Sequence, residues 1–211
     1  MIRTLSVVLL AFAFAAPLSA QAPEGVMMRV DQSTNLQDPD DVPEVTITEV
    51  EEGFQVGTGP AVTLWQEDQR ASGNYTLSGR FTLLEPASHR SPYGLVFGGR
   101  NLSSENQWYL YFMVSQTGEF VVINRIDNAN TNYIVDHTEH SAIERPDANG
   151  RSVNDLAVRI NGDQIEFVVN GTVVHATERS GSLLDTNGVY GVRINHVLPG
   201  VLVENLSVTG M

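Results

Sequence analysis

The sequence contains no cysteine, so neither a disulfide framework nor a thiolate metal site can be part of the fold. Stability has to come from burial alone, which is feasible, because a domain of ~150 residues or more buries roughly 70% of the surface its unfolded chain exposes. Lysine is missing as well. All 12 basic residues are arginine, a bias that reflects a GC-rich genome more than chemistry. Helical periodicity is lacking: beyond the first twenty or so residues, no segment of ten or more shows sustained 3.6-residue apolar spacing. Positive charge is scarce too, with 25 acidic residues against 12 basic ones and a formal net charge of −13. That balance argues against nucleic acid or anionic lipid as partners.

Long hydrophobic runs are confined to one place. Arg3 followed by the apolar stretch Leu5 to Ala16 and the small residues of Leu18-Ser19-Ala20-Gln21-Ala22 reads as a secretory signal peptide. Cleavage is expected after Ala20 or Ala22, giving a secreted or periplasmic protein. No cysteine follows the run, so a lipoprotein anchor is not indicated. No other run approaches the roughly 20 residues that span a bilayer, so no membrane span is expected. Removing residues 1–20 takes away Arg3 and no acid, leaving 25 acidic against 11 basic residues and a charge of −14.

What the sequence does have is short strands with turn residues between them. Gln107 to Val114 and Glu119 to Ile126 are rich in β-branched and aromatic residues and are joined by Ser115-Gln116-Thr117-Gly118, a β-hairpin signal. With Thr117-Gly118 as a two-residue turn, Val114 faces Val121, Phe112 faces Ile123 and Tyr111 faces Asn124. Alternation then puts Trp108, Leu110, Phe112, Val114, Val121 and Ile123 on a core face. Tyr109, Tyr111, Met113, Val122 and Asn124 fall on a second, amphipathic face. Further strands are expected at 45–50, 54–56, 61–65, 75–84, 93–99, 133–138, 189–195 and 201–208, with Gln66 to Gly73 a polar loop. Asn161-Gly162 and Asn170-Gly171 predict two successive hairpins, pairing Val158 with Ile165, Leu156 with Phe167 and Phe167 with Val174. In that register Ala157, Glu166 and His175 line up on the wetter face. About a dozen strands at short spacing define an all-β sandwich or barrel. The expected organisation is a signal peptide at 1–20, an irregular segment at 21–44 and one β-domain at 45–211.

Two polar loops carry a hint of cation chemistry. Asp38-Pro39-Asp40-Asp41 places carboxylates at the short spacing a hard cation accepts, but it reads first as a solvated entry loop. In Asp127-Asn128-Ala129-Asn130-Thr131-Asn132 the acidic ligands of a calcium loop are absent, which makes it a turn. No cofactor is expected beyond calcium, and the five histidines show no zinc-ligand spacing.

The strand order and its punctuation resemble the concanavalin A-like lectin/glucanase superfamily. The matching segments are Ser78-Gly79-Arg80-Phe81, Tyr93 to Gly99, Trp108 to Phe112, Leu156 to Gly162 with Glu166 to Gly171, and Gly188 to Val192. Within that superfamily the chain is most similar to LamG-like and 3-keto-disaccharide-hydrolase-like jelly rolls over roughly residues 45–210. The resemblance implies a two-sheet antiparallel jelly-roll sandwich, often glycan-binding on one sheet or at its rim. It does not carry over an active site. Family 16 glucanases hold two Glu and one Asp as Glu-x-Asp-x-x-Glu on one strand, and no carboxylate lies between Phe120 and Arg125 here.

On these grounds a glycan or oligosaccharide is the expected partner. Tyr109 and Tyr111 can stack on a pyranose, Asn124 can read a hydroxyl, Arg100 can bind a carboxylate or hydroxyl pair, and His196 sits at a strand end where loop chemistry occurs. Arg125 falls on the core phase and reads as a strand-end ion pair. Glu166 with His175 is the acid–imidazole pair that the register brings together, and a solvated cross-strand pair accounts for it. Two other functions compete with a lectin-like role: a glycoside-processing hydrolase or lyase of the 3-keto-disaccharide type, and a structural or adhesive envelope protein.

Overall fold

The computed structural model describes residues 22–31, 44–51 and 53–210. The signal-peptide reading at 1–20 and the acidic loop at 38–41 lie outside these residues. In chain order the strands are β1 (Met27–Asp31), β2 (Thr46–Val50), β3 (Gly53–Gly57), β4 (Ala61–Ala71), β5 (Tyr75–Leu83), β6 (Tyr93–Arg100) and β7 (Trp108–Val114). They continue as β8 (Glu119–Arg125), β9 (Thr131–Glu139), β10 (Ser152–Asn161), β11 (Gln164–Val169), β12 (Thr172–Glu178), β13 (Gly188–Ile194) and β14 (Val201–Thr209). One short 3₁₀ turn spans Ser182–Leu184. Among the described residues, no helix is long and apolar enough to cross a membrane.

The strands form two antiparallel sheets of seven. Sheet A runs β1-β4-β13-β6-β7-β8-β9 and sheet B runs β12-β11-β10-β5-β14-β3-β2, an order that requires crossovers between the sheets, as in a jelly roll. Alternation sends one phase of each strand between the sheets. From sheet A come Leu95, Phe97, Leu110, Phe112, Phe120 and Val122; from sheet B come Leu77, Phe81, Leu83, Leu156, Val158 and Phe167. Phe167 meets Phe112 at 5.2 Å and Phe97 at 6.4 Å between ring centroids. Each of these fully buried side chains contributes roughly 1.5–3 kcal/mol relative to exposure.

The structure corrects the hairpin register. Ser115 and Glu119 are joined by a 2.9 Å backbone hydrogen bond and Gly118 has φ +82°, so the connection is the three residues Gln116 to Gly118 with glycine in the left-handed position. Val114 therefore faces Phe120, Phe112 faces Val122 and Tyr111 faces Ile123. A shift of one residue turns over all of β8: Phe120, Val122 and Asn124 point into the core, and Val121, Ile123 and Arg125 point out.

The other register differences have simpler causes. The β10–β11 turn is Gly162-Asp163, pairing Val158 with Phe167 and Ile160 with Ile165; this slip of two residues leaves every side chain on its expected face. A bulge at Phe167/Val168 sets His175 opposite Phe167 instead of Glu166. Its ring stacks on Phe167 at 6.0 Å, and Glu166 pairs with Arg159 at 3.6 Å. Gln66 to Ala71 is no loop but the second half of β4, held by Ala71 pairing with Gly188 and Arg70 with Val189. The segment expected to be irregular contains β1, which pairs with β4 through Met27–Trp65 and Asp31–Ala61.

Candidate functional site

A second apolar layer lies on the outer face of sheet A, built by Trp65, Val96, Leu102, Tyr109, Tyr111, Met113, Val121, Ile123 and Val189. Leu102 belongs to the β6–β7 loop, which folds back over the face. Arg29 on β1 anchors that loop, donating from Nη1 to the carbonyls of Leu102 (3.3 Å) and Ser104 (2.8 Å). Asn128 of the β8–β9 loop joins the same assembly: its Oδ1 accepts from Arg29 Nη2 and from Gln107 Nε2 (3.0 Å). Its amide donates to the Glu105 carbonyl at 3.2 Å. These contacts seal Tyr109 completely and leave a cavity of about 330 Å³ beside the cover, reaching from Tyr111 to Tyr133.

At the floor of the cavity is Arg193 of β13, only 4% exposed. A guanidinium in such a place must be paired and hydrogen-bonded. Its Nη1 donates to Asp31 Oδ2 (2.7 Å), Thr63 Oγ1 (2.9 Å) and Tyr109 Oη (3.1 Å), while Nε is buried and hydrogen-bonded to no atom of the described residues. Asp31 also accepts from Arg29 Nε at 2.8 Å. Burial by itself would raise the Asp31 pKa, but the flanking Arg193 and Arg29 outweigh it and hold the carboxyl below its ordinary range. Tyr111 lies 5.7 Å beneath the Arg193 guanidinium, and burial pushes its phenol up to about 12 against the opposing pull of that cation.

The walls come from β8 and β9. Arg125 donates from Nε to the Asp127 carbonyl (3.0 Å) and from Nη2 to that of Asn128 (2.8 Å), which fixes its side chain along the wall. It is not the core-phase ion pair expected from the sequence, because the turned-over β8 brings it to the outer face. Tyr133, 56% exposed, stands at the rim with its ring 6.3 Å from that of His137. Among the described residues, no three His, Cys, Asp or Glu side chains converge as a metal site requires.

The sequence-predicted residues separate into three groups. Tyr111 and His196 line the cavity. Tyr109 lies beneath it, with its hydroxyl committed to Arg193. Asn124 and Arg100 are elsewhere. Asn124 is fully buried on the core side of β8 and donates to the Tyr109 carbonyl at 3.4 Å. Arg100 lies over Trp108 at 4.4 Å and is salt-bridged to Asp185 at 2.7 Å. Sequence reasoning missed Asp31, Arg125, Tyr133 and Arg193. The signal for Arg193 was present: a charge between Val192 and Ile194, alternating with residues that have to be core. Asp31 had a weaker one, the period-two apolar set Val26, Met28 and Val30 with Arg29 and Asp31 on the opposite phase.

Two seven-stranded antiparallel sheets in this order form a jelly-roll sandwich, with an open cavity on the outer face of one. No family model matches the chain, and no curated protein matches it in sequence. Solved structures match it in shape. The carbohydrate-binding module CBM66 from Bacillus subtilis superposes with a TM-score of 0.60 at 14% identity, covering 79% of this chain and 92% of that one. A Bacteroides ovatus GH16 protein solved with its G4G4G3G product gives 0.57 at 5% identity over 90% and 97% of the two chains. A Bacillus subtilis protein with a galectin-like fold gives 0.53 at 10% identity over 88% and 89%. At these identities the likeness establishes the fold.

Proposed function

We propose that this protein is a carbohydrate-binding sandwich whose ligand occupies the cavity between Tyr111, Tyr133, Arg125 and Arg193. The observation that carries this reading is the combination of an exposed ring at the rim with polar side chains along the wall and floor. A pyranose has apolar ring faces and a girdle of hydroxyls, and Tyr133 suits the first while Arg125, Asn128 and Asn195 suit the second. The volume, about 330 Å³, is at the lower end of the roughly 300–1,000 Å³ usual for small-molecule sites. Two solved structures of the same fold, one named as a carbohydrate-binding module and one holding a glucan product, support the reading.

Binding is favoured over hydrolysis by the carboxylates present. Asp31 is the one carboxylate among the described lining residues, and two arginines hold it. Glycoside hydrolysis of the common type uses a pair of free carboxyl groups across the scissile bond.

The test is calorimetric titration of the exported protein with a glycan panel, beside Tyr133→Ala. Tyr133 is a better probe than Tyr111, because Tyr111 is 4% exposed and its truncation would disturb the layer under the cavity. Loss of one stacked ring, worth roughly 0.5–1.5 kcal/mol beyond its buried area, should weaken binding about tenfold. If no glycan binds the wild-type protein, the proposal fails.

A further inference from the structure

The ligand's charge class follows from a chain of contacts running the length of the cavity. Arg193 is joined to Asp31, Asp31 to Arg29, Arg29 to the Asn128 side chain, and the Asn128 carbonyl to Arg125. Among the described residues, Arg193 and Arg29 share the Asp31 carboxylate and Arg125 is hydrogen-bonded to no acid, so three guanidiniums stand along a cavity lined by one carboxylate, in a protein whose net charge is −13. A further acid, Asp127, interacts with the Arg125 charge but lies outside the lining. Its carboxylate turns into its own loop to accept from the Ala129 and Asn130 amides, both at 2.7 Å.

Both guanidiniums in the lining have capacity left over. Among the described residues, Arg193 makes its three hydrogen bonds from Nη1, and its buried Nε has no partner. Arg125 is held through Nε and Nη2 by two backbone carbonyls, so among the described residues no carboxylate is hydrogen-bonded to it, and Asp31 and Asp127 act on its charge only through space. A buried donor without a partner is costly, and a planar guanidinium edge matches the two oxygens of a carboxylate. We infer that the cavity selects glycans carrying a carboxylate, that is, uronic acid residues, with Arg125 and Arg193 as the acid-reading pair. This rests on the carbohydrate-binding reading above and adds the ligand class to it.

The experiment compares oligogalacturonate, oligomannuronate and oligoglucuronate with the same oligosaccharides after reduction of each carboxyl group to a hydroxymethyl group. Ring, linkage and length are preserved in every pair, so only the charge differs. At least one uronate should bind about tenfold to a hundredfold more tightly than its reduced partner, the range expected of a charge-assisted hydrogen bond. Arg125→Gln should bring the uronate down to the affinity of the reduced oligosaccharide, and Arg125→Lys should keep part of the preference. Urea unfolding of both variants checks that the sandwich is intact. Equal affinity for charged and reduced partners would overturn the inference and leave carbohydrate binding standing. Binding of neutral glycans alone would overturn it in the same way. If neither set binds and no other glycan does, the underlying reading falls, and this inference with it.

Discussion

Arg193 sits under a sheet face where an uncompensated cation would cost several kcal/mol, and Asp31 is what makes its position tolerable. Replacing that carboxylate by the isosteric amide leaves a buried guanidinium with only neutral partners. Asp31→Asn should therefore cost about 3 kcal/mol in equilibrium urea unfolding, near the lower end for breaking a buried pair. The pH dependence has a definite sign. Because the folded protein holds the Asp31 pKa below its ordinary 3.8, its stabilisation is complete above that value and is lost as pH falls through the lower folded one. Wild-type stability should fall in that acid window by more than that of Asp31→Asn, and an identical acid limb in the two proteins would refute the assignment. At this scale the sequence revealed Tyr111 and His196, which line the cavity, by their place on an amphipathic strand and at a strand end. It concealed Arg193, since nothing local distinguishes a buried arginine from one at the surface until its acid is found 162 positions away.

Among the elements, the hairpin of β7 and β8 decides which residues the cavity receives. Hydrophobic alternation determines that β8 has two faces, but both its phases are apolar, Phe120 and Val122 on one, Val121 and Ile123 on the other. The choice between them falls to the loop, where three residues rather than two place Gly118 at positive φ. That is why the existence of the hairpin was legible and its register was not. Asn124 moved to the core and Arg125 to the cavity by the same one-residue step. A side chain at Gly118 would meet left-handed strain, so Gly118→Ala should destabilise the protein by about 1–2 kcal/mol in urea unfolding. An unchanged midpoint would mean that the loop does not hold the register. The β10–β11 hairpin offers the contrasting case, since its turn slipped by two residues and every side chain kept its face.

For the molecule as a whole, two sheets share one core, yet the residues that make the cavity come from distant parts of the chain. The two-sheet sandwich was implied by the family resemblance and β1 was missed, whereas the all-β class and most of the strands could be read from the sequence because they depend on patterns a few residues long. The outer-face site could not, because it depends on sheet order: β4, β13 and β6 lie side by side in sheet A although β4 begins at residue 61 and β13 at residue 188. Among the described residues, β1 completes that order as an edge strand of five residues, held by one neighbour and carrying both Arg29 and Asp31. A short edge strand is the kind of element that opens locally while the rest of a fold stays closed. Each opening would remove the acid from Arg193 and the anchor from the covering loops, so occupied cavity and closed β1 are thermodynamically linked. Ligand at a hundredfold excess over its Kd should then slow amide hydrogen exchange in residues 27–31 by about a hundredfold, without new contacts to those amides. Unchanged exchange there under saturation would mean that β1 is a fixed wall and not a latch.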